Sequence, residues 1–149
     1  MTEFPQLRHT VLDTTDVRGL AEFYRRLLGL RYRPGDEPAA DGASGGAPDG
    51  APDGAREDVD WLTLTDGEGR AVLAFQLVDR LERTTWPEPD VPMQLHLDLT
   101  VPDRDSLDRQ HARALELGAE LLLDRTDDPD EPLYVYADPA GHPFCIFVA

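Results

Sequence analysis

Apolar residues at helical spacing predict two helices in this chain. The first carries Val17, Leu20, Ala21, Tyr24, Leu27 and Leu28 at positions related by i, i+3 and i+4. Asp16 precedes this run as a helix N-cap, and Gly29 follows it where a helix C-terminus favours a left-handed residue. The second helix is predicted from about Arg104 to Leu117, with Asp103 as its N-cap and Gly118 at its end. Its apolar stripe consists of Leu107, His111, Ala114 and Leu115.

Short runs rich in apolar residues predict strands around each helix. These runs are Leu7–Asp13, Arg31–Arg33, Val59–Thr65 and Val72–Val78 in the first half, and Gln94–Val101, Glu120–Leu123, Leu133–Ala137 and Pro143–Val148 in the second. Each half reads strand, helix, strand, strand, strand, which indicates an internal repeat. We predict one α+β domain over residues 1–149, with module 1 at about 6–79 and module 2 at about 93–149.

The two copies of the repeat can be aligned residue by residue. In each copy a histidine, His9 or His96, stands seven residues before the helix N-cap. Near the end of each copy an FQL tripeptide corresponds to an FCI tripeptide, which pairs Gln76 with Cys145. The two modules are therefore expected to superpose with these residues in equivalent places.

One segment of the chain has a foreign composition. Residues 35–58 read GDEPAADGASGGAPDGAPDGARED and contain no aliphatic side chain larger than alanine. Such a run cannot bury enough apolar area to offset the entropy of ordering it. We predict a mobile surface insert within module 1 that is dispensable for stability. A lid over a functional site is the alternative.

Alternation along the strands sorts the side chains onto two faces of each sheet. One face packs beneath a helix, and the other is mixed and aromatic. If the two mixed faces curve together they enclose a cup lined by His9, Asp13, Trp61, Thr63, Gln76, His96, Asp98, Tyr134, Tyr136, Cys145 and Phe147. Aromatic walls with a few convergent polar groups suit a small organic ligand. The alternative is that these aromatic residues form the core of a closed sandwich.

Charge and cysteine content narrow the range of partners. The 14 basic and 30 acidic residues leave a formal net charge of −16, which argues against nucleic acid and against an anionic membrane surface. This charge serves solubility and permits a cationic ligand. The single cysteine, Cys145, excludes an internal disulfide, so a cytoplasmic location is expected. We find neither a signal peptide nor an apolar run of the roughly 20 residues that a membrane span needs.

Several stretches resemble the vicinal oxygen chelate superfamily, which includes glyoxalase I, extradiol dioxygenases, fosfomycin-modifying transferases and bleomycin-resistance proteins. The matching stretches are RHTVLDTTD followed by AEFYRRLLGL, then LHLDLTVPD, then YADPAGHPFCIF. More narrowly, LAFQLV, TWP, LHLDLTVPD and DPAGHPFCIF resemble its actinobacterial glyoxalase-like branch. The resemblance implies paired βαβββ modules that form a cup-shaped mixed β-sheet, within one chain or across a homodimer.

The resemblance also implies positions for metal ligands. Carried over by motif, these are His9, Gln76, His96 and Cys145. Relatives that use a metal present His or Glu there, whereas here a neutral amide and a thiol replace the two carboxylates. Two imidazoles and a thiolate could hold zinc, but no glutamate remains as the general base of glyoxalase-type proton transfer.

Two functions follow from this departure. The first is a small-molecule-binding protein of the glyoxalase and bleomycin-resistance type that needs no metal. The second is a metal-dependent lyase, isomerase or dioxygenase acting on vicinal oxygens. In either case Asp13 and Asp98 would orient the histidines or hydrate the pocket floor. His142 is expected to bond to the backbone beside a turn, and His111 to pack on its helix.

Overall fold

A computed structural model of the chain describes residues 3–39 and 59–149. In module 1 the elements are β1 (Thr10–Thr14), α1 (Val17–Leu28), β2 (Arg31–Tyr32), β3 (Trp61–Thr65) and β4 (Ala71–Leu77). In module 2 they are β5 (Leu97–Val101), α2 (Arg104–Glu116), β6 (Glu120–Arg125), β7 (Leu133–Ala137) and β8 (Pro143–Val148). Neither of the helices in these two ranges is long and apolar enough to cross a membrane.

The two modules share one topology. Each forms a four-stranded mixed sheet, ordered β1-β4-β3-β2 in module 1 and β5-β8-β7-β6 in module 2. In both sheets the first strand runs parallel to the last, and the other pairs are antiparallel. The predicted α+β class and the repeat of one strand, one helix and three strands are therefore confirmed.

Local chemistry sets the ends of the helices, as predicted. The Asp16 carboxylate accepts the Gly19 N–H at 3.0 Å, and the Asp103 carboxylate accepts the Ser106 N–H at 2.7 Å. Helix α1 ends at Gly29, whose φ of 68° lies in the left-handed region that glycine adopts without steric cost. The caps satisfy N–H groups that have no acceptor within the helix.

One hydrophobic core joins the two modules. Tyr24 on α1 stacks on Phe75 of its own sheet, with ring centroids 6.0 Å apart. The same ring meets Phe144 of the second sheet edge to face at 6.2 Å, and Phe23 meets Phe144 at 5.8 Å. Leu107 on α2 belongs to the same buried cluster. The helix-covered faces of both sheets thus contribute to one core, and the mixed faces lie outside it.

A side chain of α2 also binds the end of α1. The Arg113 guanidinium donates to the carbonyl of Leu27 at 3.1 Å and to the carbonyl of Arg26. The last carbonyls of a helix lack partners within the helix and carry partial negative charge. Arg113 therefore stabilises the C-terminus of α1 and joins the two modules outside their apolar contact.

Part of the insert predicted at residues 35–58 is described by the structure. Residues 40–58 lie outside the described part of the chain, whereas the first residues of the predicted insert are bound to the sheet. The Asp36 carboxylate accepts the Thr63 N–H at 2.9 Å and pairs with Arg33 at 3.2 Å. Strand β2 has only two residues, so Asp36 supplies the acceptor that a longer neighbouring strand would give Thr63.

Candidate functional site

The mixed face of the first sheet gathers five residues of the predicted pocket. Asp13 on β1 and Trp61 on β3 both lie beside Gln76 on β4. The indole N–H of Trp61 donates to the Thr63 hydroxyl at 3.0 Å. The His9 ring lies 6.2 Å from the Trp61 ring, centroid to centroid. This face therefore combines an imidazole, an indole, a carboxylate and an amide.

His9 carries an unsatisfied polar atom. Its Nδ1 is buried and has no hydrogen-bond partner among the residues that the structure describes. A buried polar atom without a partner costs about 1–3 kcal/mol. This face is therefore incomplete in its polar contacts.

The mixed face of the second sheet carries a cluster of three ligand-type side chains. Nε2 of His96 lies 3.3 Å from Oδ1 of Asp98, and the Cys145 thiol donates to that same oxygen at 2.8 Å. One donor atom from each of the three residues lies within 4.8 Å of the others. Burial, together with the hydrogen bond to the Asp98 carboxylate and its charge, raises the pKa of Cys145 to about 12. The thiol is therefore protonated at neutral pH. Phe147 belongs to this face, since it lies beside Thr100.

Tyr134 and Tyr136 do not belong to the mixed face, contrary to expectation. Their register places Tyr134 beside Ile146 and Tyr136 beside Phe144, on the helix-covered side of the sheet. The His111 ring stacks on Tyr134 at 3.9 Å, and its Nδ1 lies 2.8 Å from the Tyr136 hydroxyl. The prediction was wrong because β7 alternates tyrosines with aliphatic residues, and either set can be buried when a helix offers the hydroxyl a partner.

The register of the repeat also differs from the predicted one at its last strand. Val11 and Asp98 each stand five residues before their helix N-cap, so they occupy equivalent places. Val11 lies beside Ala74, whereas Asp98 lies beside Cys145. Ala74, rather than Gln76, therefore takes the place of Cys145 in module 1. An alanine side chain offers no atom to a metal.

The same register gives Gln76 a different counterpart. Gln76 corresponds to Phe147, since their neighbours on the first strands are Asp13 and Thr100. Asp13 and Asp98 occupy different places in the two copies, because Asp13 stands three residues before its helix N-cap and Asp98 stands five residues before its own. Aligning FQL with FCI therefore shifts the last strand of one module by two residues relative to the other.

Among the described residues, the ligand-type side chains of the two mixed faces do not contact one another. Over residues 3–39 and 59–149, no hydrogen bond, ion pair or ring contact joins His9 or Gln76 to His96 or Cys145. The side chains of His96 and Asp98 are 47% and 56% exposed. The four positions that the resemblance marks as ligands therefore divide into two separate pairs.

A cavity of about 290 Å³ opens where the modules adjoin. Its apolar lining includes Leu81, Pro92, Met93 and Leu95 from the segment that connects the modules. Its polar lining includes Asp13, Gln76, Glu82, Gln94 and His142. Only Asp13 and Gln76 belong to the predicted pocket. The signal that could have indicated the rest is the recurrence of large apolar residues at 81, 93 and 95 in a segment otherwise typical of a loop.

Comparison with known proteins identifies the family of this chain. Residues 9–147 match the family described as a glyoxalase-like domain. The chain belongs to this family. No curated protein sequence matches this glyoxalase-like domain.

Solved structures share its fold at low sequence identity. A glyoxalase/bleomycin resistance protein/dioxygenase family enzyme from Burkholderia phytofirmans has a TM-score of 0.64 at 13% identity, over 97% of this chain and 98% of that one. The fosfomycin resistance protein FosX from Mesorhizobium loti has a TM-score of 0.60 at 15% identity, over 100% and 94%. FosX from Listeria monocytogenes, solved with Mn(II) and sulfate, has a TM-score of 0.60 at 14% identity, over 98% and 93%.

In this glyoxalase-like domain His142 also differs from expectation. Its ring Nδ1 lies 2.9 Å from the carboxylate of Asp138, not against a backbone group. Asp138 stands four residues earlier, at the start of the turn before β8. The ring of His142 is thereby held at the wall of the cavity.

Proposed function

We propose that this glyoxalase-like domain binds a small organic molecule in the cavity beside Asp13 and Gln76. The observation that carries the proposal is the cavity itself, about 290 Å³ in volume, with apolar walls and a few polar groups. Sites for small ligands combine an apolar lining with a small number of placed polar side chains. The structure offers both on one side of the first sheet.

A blocking variant tests this proposal. Leu81→Trp adds a bulky ring to the lining, so fragments detected by ligand-observed NMR should lose contact with the protein. Leu115→Trp is the matched control, because Leu115 is 42% exposed on α2 and does not line the cavity. Fragments that bind both variants equally would contradict the proposed site.

The cluster of His96, Asp98 and Cys145 favours metal binding as a second candidate function. Imidazole, carboxylate and thiolate are all ligands of zinc, and the three donor atoms are already within 4.8 Å of one another. This donor set fits a divalent ion, and it includes Asp98 where the resemblance implied residues of the other module. When bound, such an ion would act as a Lewis acid toward oxygen atoms of a substrate. The chain's own residues would hold it, with the Cys145 proton displaced.

Zinc and manganese titrations test the metal site. Because binding must displace the thiol proton, affinity should fall as the pH is lowered. His96→Ala should abolish binding, and Cys145→Ser should weaken zinc more than manganese, since thiolate prefers the softer ion. Asp105→Asn, in the first turn of α2, is the control. Protection of Cys145 from a thiol reagent by zinc gives a readout that needs no enzyme assay.

We also propose that a second copy of the chain completes the site. Both mixed faces carry exposed polar side chains, and His9 Nδ1 is buried without a partner in the described residues. Apposing the first sheet of one chain to the second sheet of another would enclose the predicted cup. Sedimentation equilibrium would show a dimer, and Phe147→Glu should shift it toward monomer. A wild-type monomer at all concentrations would contradict this arrangement.

Two finer assignments are proposals from sequence. The actinobacterial glyoxalase-like branch rests on LAFQLV, TWP, LHLDLTVPD and DPAGHPFCIF. A cytoplasmic location rests on the single cysteine.

A further inference from the structure

We propose that His142 is the recognition residue of the cavity, and that the cavity takes a small organic cation with an apolar body. The ammonium group of this ligand donates hydrogen bonds to Nε2 of His142 and to the carboxylates of Asp13 and Glu82. This inference rests on the proposed function, since it names the class of ligand for the same cavity.

The turn before β8 is organised around a buried carboxylate. Asp138 has no exposed side-chain area. Its Oδ1 accepts the backbone N–H groups of Ala140, Gly141 and His142 at 2.9, 2.9 and 3.0 Å. Its Oδ2 accepts the hydroxyl of Tyr24 at 2.7 Å, from the helix of the other module. Both modules therefore hold this carboxylate in place, independently of the His142 ring.

The same carboxylate sets the tautomer of His142. Nδ1 of the ring lies 2.9 Å from Oδ2 of Asp138. An ionised carboxylate only accepts hydrogen bonds, so Nδ1 carries the proton. In the neutral ring Nε2 then presents a lone pair. In this neutral tautomer the second nitrogen of the ring accepts a hydrogen bond.

The second ring nitrogen of His142 is accessible. His142 lines the cavity, and its side chain is 15% exposed. Nε2 has no hydrogen-bond partner in the described residues, and it is not one of their buried unsatisfied atoms. A donor on a molecule in the cavity is therefore offered an acceptor by a residue of the cavity wall.

Three ionisable side chains lie on the cavity wall, beside the amides of Gln76 and Gln94. They are His142, Asp13 and Glu82. Within the described residues no arginine lines the cavity. The side chain of Arg83 packs against Gly141, but its guanidinium pairs with Glu120 at 3.1 Å. The two carboxylates only accept hydrogen bonds, so a ligand that brings donors and a positive charge to this part of the wall is favoured.

The apolar part of the cavity wall favours a ligand whose main part is apolar. Leu81, Met93 and Leu95 present large apolar side chains next to the acceptors. Burying apolar area stabilises a complex by about 25 cal/mol per Å². The formal net charge of −16 further raises the local concentration of cations. Together these features select an amine on a compact apolar body over a sugar phosphate or a carboxylic acid.

Three probes of similar shape test this inference by isothermal titration calorimetry with the full chain. They are 2-phenylethylamine, 2-phenylethanol and phenylacetate. At about pH 7.5 the amine should bind about tenfold more tightly than the alcohol, and phenylacetate should bind least, because charged hydrogen bonds outweigh neutral ones. An equal or stronger affinity for phenylacetate would overturn the inference.

Variants locate the effect at His142. His142→Asn retains a polar side chain that is too short to reach the ligand, and it should weaken amine binding about tenfold. Glu82→Gln should weaken it less, and Glu116→Gln, the same change at the end of α2, should leave it unchanged. Unaltered amine affinity in His142→Asn would overturn the inference.

The imidazole resonance of the wild type gives a readout that does not depend on folding of a variant. The ¹⁵N signal of His142 Nε2 should move when the amine is added. A silent resonance would overturn the inference.

The results distinguish the proposed ligand class from the proposed binding site. Binding of all three probes with equal affinity, lost in Leu81→Trp, would retain the proposed function and overturn the inference. Binding that Leu81→Trp does not affect would overturn both.

Discussion

At the scale of the residue, Asp98 controls the chemistry of Cys145. One carboxylate oxygen accepts the thiol at 2.8 Å and lies 3.3 Å from the imidazole of His96. Burial, the hydrogen bond and the negative charge all raise the pKa of the thiol, to about 12. Because only the thiolate is a nucleophile, this cysteine should be inert at neutral pH.

Removing the charge of Asp98 should activate the cysteine. Asp98→Asn keeps the size of the side chain but removes the negative charge, so the pKa of Cys145 should fall. The rate of reaction with Ellman's reagent at about pH 8 should rise about tenfold or more. Asp105→Asn is the control for the loss of one surface charge. Equal rates in wild type and Asp98→Asn would show that burial alone protects the thiol.

Asp138 should be the most sensitive single carboxylate of the fold. It is buried and accepts hydrogen bonds from three backbone groups, one tyrosine and one histidine. Asp138→Asn places an amide donor against donors, so the free energy of unfolding should fall by about 2–4 kcal/mol. Urea denaturation measures this change. Asp130→Asn is the control, because Asp130 is exposed, and a similar loss there would contradict the assignment.

At the scale of the element, a short strand is completed by a side chain. Strand β2 covers only Arg31 and Tyr32, and the chain then turns so that Asp36 reaches the Thr63 N–H. The start of the predicted insert is therefore part of the sheet edge. Arg18 also donates to the backbone carbonyl of Asp36 at 2.7 Å, which ties the same loop to α1.

The effect of shortening the insert on stability should depend on whether Asp36 is retained. Replacing residues 40–56 by a short Gly-Ser turn should leave the Tm within a few degrees, because loop-closure entropy changes slowly with length. Extending the replacement to residue 36 should lower the free energy of unfolding by about 1–2 kcal/mol, since the Thr63 N–H loses its acceptor. Differential scanning calorimetry of both variants measures this, with Asp36→Ala alone as the control. A large loss from the shorter replacement would mean that the insert packs on the core.

At the scale of the whole molecule, Tyr24 is the residue on which the two modules meet. Its ring lies between Phe75 and Phe144, and its hydroxyl donates to Asp138 across 114 residues of sequence. Burial, the charge of Asp138 and this hydrogen bond raise the pKa of Tyr24 well above its usual value. Burial likewise raises the pKa of Tyr136.

These shifts should make the fold sensitive to alkali. A raised pKa in the folded state stabilises the protein below the pKa of the unfolded chain, and this stability is lost as the pH rises. For Tyr24 the loss should begin near pH 10 at up to about 1.4 kcal/mol per pH unit. The Tm should therefore fall from about pH 9 to about pH 11, where Cys145 adds to the effect. Tyr24→Phe should flatten this slope while lowering the Tm at neutral pH, and an unchanged slope would contradict the assignment.

The sequence by itself determined the features that depend on neighbours within about one helical turn or one strand. The helix caps at Asp16 and Asp103, the repeat of the two modules and the mixed face that gathers Asp13, Trp61 and Gln76 all follow from local periodicity. Such periodicity is written in adjacent residues, because a helix and a strand each impose a fixed spacing on the side chains that share a face.

Only the tertiary structure decided the features that depend on which strand lies beside which residue. Register put Ala74 in the place of Cys145, and the packing of α2 turned Tyr134 and Tyr136 inward. The connecting segment folds against the first sheet and the turn before β8, and this arrangement forms the cavity. A strand shifted by two residues shows the same faces, so local pattern cannot distinguish the two registers. Pairing between residues far apart in the chain is what selects one of them.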